Sequence, residues 1–587
     1  MNGWTGKILK VDLTNKEMEF IYPDKSLYEK YIGGKGLAGY YLKPFITKGY
    51  NEPEMPLIFM TGPLNNTPSP TSGRMAVVSK SPLTGAVGDT SVGGKFGTML
   101  KRAELDGIIV TGKASSLCGI TINGEKIEFV DASNCKGYNS PQMTKYLEKL
   151  APGASTAVIS NAAENGVMFA NIIMDEHFFA GRCGLGTVMA EKKLKFITVK
   201  GNSKTKVADS EELKIAREEI YRLAAASPVL MGNLGITNYG TGALYDLMRQ
   251  RRMMPTDNFR KTYFENSEKM NANAYKEKYG SKKFGCMGCH IQCKKSTKRG
   301  DDVIPEFEAV SHFSALVCND DLDAVVEANR ICNEAGIDTI TAAATIACYK
   351  EVMNIQMTPD KLTEILTNIV NKKGDGELLA KGSRFFVKQM KKDKYSMSAK
   401  GLEFPAYDPR GAYGMALAYA TSTRGGCHLR AYPISHEILR KPVATDRFSF
   451  SGKARIIKIS EDANAMIDSL TACKFLFFAA SLEEYARALQ GVTGIETTAQ
   501  DLLKTGERIY YNDIIMNALN GFTNKDNDIP ARFFELDGSG NEDFDVPSLN
   551  RDEFMNEIKA YNKIRGLDEN GLPTKEKCDE LGLICEI

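Results

Sequence analysis

Apolar residues come in short runs along the first 205 positions, and from Ser210 onward they recur at helical spacing. GKILKVDL, EKIEFV, DGIIVTG, STAVIS and KFITVKG each set β-branched or aromatic residues between turn-forming neighbours, which predicts strands. TGKILKVDLTNKEMEFIY carries two alternating runs around an Asn-Lys turn and predicts a hairpin. EELKIAREEIYRLAAA opens a helical series that continues through LDAVVEANRICNEAG, KLTEILTNIVNKK and ARIIKISEDANAMID. The expected fold class is α+β: an N-terminal β-sheet domain over residues 1–205, then two mostly helical domains over 206–405 and 406–587. The second boundary is set where EFPAYDPRGAYG interrupts the helices near Gly401 to Arg410.

A chain of 587 residues exceeds what one hydrophobic core usually takes. With 43% hydrophobic and 25% charged residues it has the composition of a globular protein. The 75 Lys and Arg against 73 Asp and Glu give no bulk attraction for nucleic acid. No N-terminal h-region and no run of about 18 apolar residues occurs, so no membrane insertion and a cytoplasmic location are expected. Most of the 13 cysteines stand singly in apolar surroundings, as at Cys318, Cys332 and Cys348, the pattern of a reducing compartment.

FGCMGCHIQCKK breaks that pattern by grouping Cys286, Cys289 and Cys293. Structural zinc sites usually pair two C-x2-C units or add matched histidines, and no second pair exists here. His290 lies inside the group, but its spacing turns it away from a shared metal. C-x2-C-x3-C with a remote fourth cysteine suits a [4Fe–4S] cluster, because one loop wraps three corners. Iron–sulfur, structural zinc and simple buried thiols all stay open on the motif alone. Cys473 is the best fourth ligand because it ends the motif DSLTAC, which repeats DTITAA of Asp338 to Ala343. Each copy reads as an Asp, Thr or Ser cap. Two copies predict a pair of helix N-termini gripping a ligand with two similar halves.

Two glycine-rich patches add to this. One holds Arg74, Lys80, Gly93, Gly94 and Gly97, and the other sets Arg182 beside Gly181, Gly184 and Gly186. Glycine admits close backbone approach and Arg or Lys matches phosphate. Neither is a P-loop, and tight β-turns explain either one alone. Together with the paired Asp motifs they favour a phosphate-bearing cofactor.

GWTGKILKVDL, IGGKGLAGYYL, SGR, GGKFG, GRCGLGTVM, RRMMPTDNF, CMGCHIQC, PEFE, GIDTIT, GGCHLRAY, IDSLTACKF and RGLDENGLPTKEKCDELGL occur in this order along nearly the whole chain. In that order they resemble the tungsten-dependent aldehyde:ferredoxin oxidoreductases. The resemblance implies a β-sheet base under a tungsten (or molybdenum) bis-pyranopterin, buried between it and the helical domains. It places the two pterin aspartates at Asp338 and Asp468, with Thr341, Thr471 and Ala472 beside them. Arg74, Ser91, Gly93 and Gly94 would lie on the base, and Arg182, Cys183, Gly184, Leu185 and Gly186 would border the pterin phosphates and a bridging Mg2+. The cluster ligands would be Cys286, Cys289, Cys293 and Cys473. Ala343, the Ala190–Glu191 pair and Leu567 depart from the family pattern.

On that resemblance an aldehyde is oxidised reversibly to its acid, and the cluster hands electrons to ferredoxin or a ferredoxin-like subunit. Glu308 and His428 would move the proton near the metal, with Glu306 and Tyr432 close by. A homodimer is a family-level expectation. KKSTKR, Lys294 to Arg299, reads as a solvated loop or as a docking patch for an acidic carrier. Two alternatives remain: a same-family reaction on an aromatic thioester, a sugar or another carbonyl, and a non-catalytic zinc-binding protein.

Overall fold

The computed structural model describes residues 1–300 and 302–585. Among them, β1 (Ile8–Asp12), β2 (Glu17–Ile21), β3 (Leu57–Met60), β4 (Met75–Lys80), β5 (Val87–Val92) and β6 (Gly107–Thr111) form one sheet in the order β2-β1-β6-β3-β4-β5. A second sheet takes β7 (Cys118–Asn123), β8 (Lys126–Asp131), β9 (Ser155–Val158), β10 (Ile172–Met174), β11 (Phe178–Ala180) and β12 (Leu194–Lys200) in the order β11-β10-β9-β12-β7-β8. Each sheet is antiparallel except for one parallel pair, β1 with β6 and β12 with β7. The expected hairpin forms, with register running from Ile8↔Ile21 to Asp12↔Glu17. Its outer strand exposes Glu17 and Glu19, charges that discourage pairing with another chain at this edge. β3 is buried along its whole length, as its unbroken LIFM run requires.

Helices follow from Ser210, and their ends are written in the sequence. Asp209 accepts from the Glu211 and Glu212 amides to start Ser210–Ala226. Asp321 starts Leu322–Ala335, and Gly336, at φ +70°, ends it. The largest buried apolar cluster runs from Leu9 to Tyr561 and takes in both sheets and the helices.

Glycines decide how the helices meet the base. The helix Gly34–Leu42 lies against Lys453–Leu470. A Cβ on Gly34 would overlap the Asp468 carbonyl, and the Gly36 amide donates to Ser469 Oγ at 3.0 Å. The glycines of IGGKG thus bring backbone to backbone beside Asp468. On the other side Gly506 of helix Ala499–Leu519 touches the Asp462 carbonyl, where a Cβ would overlap. Gly506→Ala would gain roughly 1 kcal/mol of helix propensity, but overlap with a buried backbone carbonyl costs about 1–3 kcal/mol or more. The variant is expected to melt at a lower temperature than the parent; an equal or higher midpoint would contradict this packing.

Candidate active site

The strands Lys282–Phe284 and Lys294–Ser296 pair with Phe284 opposite Lys294, and they close a loop holding Cys286, Cys289 and Cys293. Cys473 follows the end of helix Lys453–Leu470 and lies near enough to Cys289 and Cys293 to raise their thiols, while Cys286 in turn raises that of Cys473. Burial, then Cys473, raises the Cys289 thiol to about 11. Gly93 faces Cys286 so closely that a Cβ there would overlap the sulfur, and Gly94 turns at φ +107°. Among the described residues no three His, Cys, Asp or Glu side chains converge on a point that could hold a single metal ion. The four thiols are neighbours in a wider arrangement. His290 packs edge-on against Tyr221 at 4.6 Å.

Lys294 and Lys295 do not form the solvated patch that KKSTKR suggested. Both are buried; Lys294 pairs with Glu306 at 2.9 Å, and Lys295 donates to the Gln292 carbonyl at 2.7 Å. Only Lys298 and Arg299 of that run are exposed.

Arg74 leads inward from the thiols. Its guanidinium donates to Ser91 Oγ at 2.9 Å and to the Ser91 carbonyl, and Cys473, Cys286 and Asp468 all favour its charge. Asn65 joins it to the second Asp motif: its amide donates to the Arg74 carbonyl at 2.8 Å, and Thr471 Oγ1 lies 2.7 Å from its side-chain oxygen. Ala472 is fully buried beside them.

The two Asp motifs are not a pair of helix N-termini, and that expectation is corrected. Asp338 caps the start of Thr339–Met353, accepting from the Ile340 amide at 3.1 Å and from Thr341 Oγ1 at 2.8 Å. Asp468 lies inside the last turn of Lys453–Leu470, which stops at Thr471 in a left-handed conformation. Sequence likeness concealed opposite helix ends. What the two carboxylates share is cations: Arg182 reaches Asp338 at 3.2 Å, while Lys474 and Arg430 reach Asp468 at 2.8 and 3.3 Å. Cys183 and Gly184 carry positive φ, and a Cβ on Gly184 or Gly186 would overlap the Met168 or Asn171 carbonyl. Leu185 is core. Packing therefore accounts for these glycines, and Arg182 is the charged residue of the patch, buried against Asp338.

Asp89, which the sequence reading passed over, links the base to the helices. Its Oδ2 takes Lys35 at 3.0 Å and Arg430 at 2.8 Å, and its carbonyl takes Arg424 at 2.6 Å. Lys35 also reaches Asp513 at 2.5 Å. Burial opposes charge on Asp89, but Arg430, Lys35 and Arg424 outweigh it and hold the carboxyl well below its usual range. Around this chain Asp89 Oδ1, Asp468 Oδ1, Arg430 Nε, His428 Nδ1 and Glu308 Oε1 are buried with no hydrogen-bond partner. Burying such atoms without partners costs about 1–3 kcal/mol each. So many along one set of linked residues define a polar region, called the chamber below, whose unmet hydrogen bonds a polar guest would satisfy.

Glu308 and His428 face each other there, with Oε1 and Nε2 3.5 Å apart. Their side chains keep 19% and 11% of their surface exposed, while Glu308 Oε1 and His428 Nδ1 themselves are buried. The Ala406 amide donates to Glu308 Oε2 at 2.8 Å. Burial lifts the Glu308 carboxyl to about 8. Burial, helped by Arg182 and Arg424, holds His428 well below the usual imidazole range. A protonated acid thus meets a neutral imidazole at neutral pH. Behind Glu308, His312 sets its ring nitrogens on the Glu308 and Phe404 carbonyls at 2.8 and 3.1 Å, at the start of a π-helical turn. The Tyr407 ring lies tilted against His428 with centroids 5.4 Å apart and meets Tyr432 hydroxyl to hydroxyl at 3.2 Å; Tyr432 holds φ at +52°. Glu306 lies apart from this pair, bound to Lys294.

Comparison with known proteins places the whole arrangement. The model of the aldehyde ferredoxin oxidoreductase N-terminal domain matches residues 8–201, and that of domains 2 and 3 matches residues 215–583. The chain belongs to the aldehyde ferredoxin oxidoreductase family of oxidoreductases. Among relatives, the tungsten-containing aldehyde ferredoxin oxidoreductase of Pyrococcus furiosus is 34% identical, and that of Thermococcus kodakarensis 35%, each over 99% of both chains. The fold is also that of a solved structure described as the active site complex BamBC of benzoyl coenzyme A reductase with 1,5 dienoyl-CoA. That match has a TM-score of 0.86 at 22% identity, over 99% of this chain and 97% of that one.

Asp89→Asn keeps the shape of the junction and removes its charge. Leaving Lys35 and Arg430 buried without that partner is expected to cost about 3–5 kcal/mol in denaturant unfolding. A loss below about 1 kcal/mol would show that the ionic chain does not hold the halves together.

Proposed function

We propose that the chain is a tungsten bis-pyranopterin enzyme that oxidises aldehydes reversibly to carboxylic acids. Electrons would pass through a [4Fe–4S] cluster on Cys286, Cys289, Cys293 and Cys473 to ferredoxin or a ferredoxin-like subunit. The observation that carries this reading is the chamber of unpartnered buried polar atoms, bounded by Glu308 and His428 and joined to the four thiols through Asp468 and Arg74. Those atoms fit a pterin cofactor: Asp468 Oδ1 offers an acceptor to a ring N–H group and Arg430 Nε a donor to an anionic group such as a phosphate, with the Asp338–Arg182 pair as the second such couple. In this reading Ser91 and the Arg182–Gly186 turn border the phosphates and a Mg2+ between them. In this reading the pterin would supply the metal's sulfurs, so molybdenum would serve the same site.

When bound, the cofactor would supply the two-electron change at the carbonyl carbon and the cluster the single-electron steps to the carrier. The chain's own task is the proton. Aldehyde and water become acid with release of two electrons and two protons, so a group beside the carbonyl must accept one. Glu308 does this once it has lost its own proton, with the Ala406 amide holding Oε2 in place and His428 Nε2 facing Oε1. In the reverse direction the protonated carboxyl donates. Exposed cations beside the cysteine loop, Lys282, Lys298 and Arg299, remain to steer an acidic carrier. A second reading, reduction of an aromatic thioester, draws on the rings of Phe307, Tyr407, Tyr432 and Phe478 near His428.

Dye-coupled aldehyde oxidation is expected to rise with pH through about 8, as Glu308 ionises, and to level off above. Glu308→Gln should erase that limb and cost about a hundredfold or more in kcat. A limb that survives the substitution, or turnover confined to aromatic thioesters, would refute the leading reading.

A further inference from the structure

Cys427 is fully buried, and its sulfur is ringed by donors. Arg424 brings Nε to 3.1 Å and Nη2 to 2.9 Å, and the Leu429 amide comes to 3.3 Å. Arginine stays protonated in proteins, so the fork turns only hydrogens toward the sulfur and cannot take its proton. A neutral thiol is a weak acceptor for such a fork, whereas a thiolate meets it with charge-assisted bonds. Arg430 on the same segment and Arg182 and Lys474 from other elements add positive charge, against Asp89, Cys183 and Glu308 nearby. Burial would push the thiol up, but Arg424, Arg430 and Arg182 outweigh it and bring it down to about 6.

What this sulfur holds is a separate observation. The remaining Arg424 nitrogen, Nη1, is spent on the Asp89 carbonyl, and Asp89 binds Arg430, whose buried Nε has no partner. His428, the next residue along, likewise keeps Nδ1 unpartnered. Both nitrogens border the chamber.

We propose that Cys427 is a resident thiolate and a positioning residue. Its charge fixes Arg424, and through Asp89 it holds Arg430 and the His428 ring in the geometry that the guest of the chamber meets. The identity of that guest rests on the proposed function; the charge on the sulfur does not.

Cys427→Ser keeps size and removes charge, Cys427→Asp keeps charge, and Cys427→Ser/Arg424→Gln removes both partners. The full chains are purified anaerobically, then read for pterin per chain, dye-coupled turnover and melting against pH. Cys427→Ser should lose pterin and about tenfold or more in turnover, while Cys427→Asp recovers to within about threefold of the parent. A thiolate stabilises the fold at high pH and loses that effect as pH falls from about 9 to about 6. The melting gap between parent and Cys427→Ser should therefore narrow over that range. The double variant should melt above Cys427→Ser, since the Nε–Nη2 edge of Arg424 is no longer left buried without its thiolate. Should Cys427→Ser fail to fold, a folded double variant supports the charge pairing, and a double variant that fails equally overturns it. Cys427→Ser indistinguishable from the parent, a pH-independent gap, or Cys427→Asp as damaged as Cys427→Ser would each overturn it. A parent without pterin would instead sink the functional reading, and the melting gap would still decide the thiolate.

Discussion

Asp89 sits where the strand-rich base meets two later segments of the chain, and its charge can be buried because Lys35 and Arg430 pair with its carboxylate while Arg424 takes its carbonyl. An isolated carboxylate at that depth would cost several kcal/mol and would protonate instead. The cations come from different parts of the chain: Lys35 from the glycine helix on the base, Arg430 from the GGCHLRAY segment and Arg424 from the position just before it. The junction therefore forms only when base and helices are docked in one register. The glycines of that helix, and Gly506 opposite, are what let the backbones come close enough for these side chains to span the gap.

The same junction explains why the chamber is so polar. Closing the ionic chain satisfies Asp89 Oδ2 and one edge of Arg430, and leaves Asp89 Oδ1, Arg430 Nε and Asp468 Oδ1 facing inward without partners. Glu308 and His428 border that space with enough burial to shift both toward their neutral forms. Stability and chemistry thus draw on one set of charges. A buried pair left incomplete on the protein side is a cost that a polar guest repays.

Much of this was readable in the sequence where the signal is local. The β1–β2 hairpin, the Asp-capped helices and the grouped cysteines depend on neighbours in the chain, and these formed as their patterns require. DSLTAC misled because the same letters serve opposite ends of a helix, and only the long amphipathic run before Asp468 told them apart. KKSTKR misled because lysine beside cysteine reads as solvated, whereas Lys294 is buried by its distant partner Glu306. Lys35 and Asp89 carried a usable signal, a single charge inside a glycine-rich apolar stretch. Their partners lie hundreds of residues away, and no linear pattern pairs them. Nothing in the linear sequence marks Cys427 as different from the other single cysteines, because its arginines count only once Arg424 folds back onto it.

The central claim is that this interior exists to hold a metal–pterin group in electronic reach of four thiols. Metal and pterin content of the anaerobically purified chain tests it most directly. The account predicts about four irons and about one tungsten or molybdenum per chain, with pterin released on denaturation. Zinc alone, with neither iron nor pterin, would contradict it.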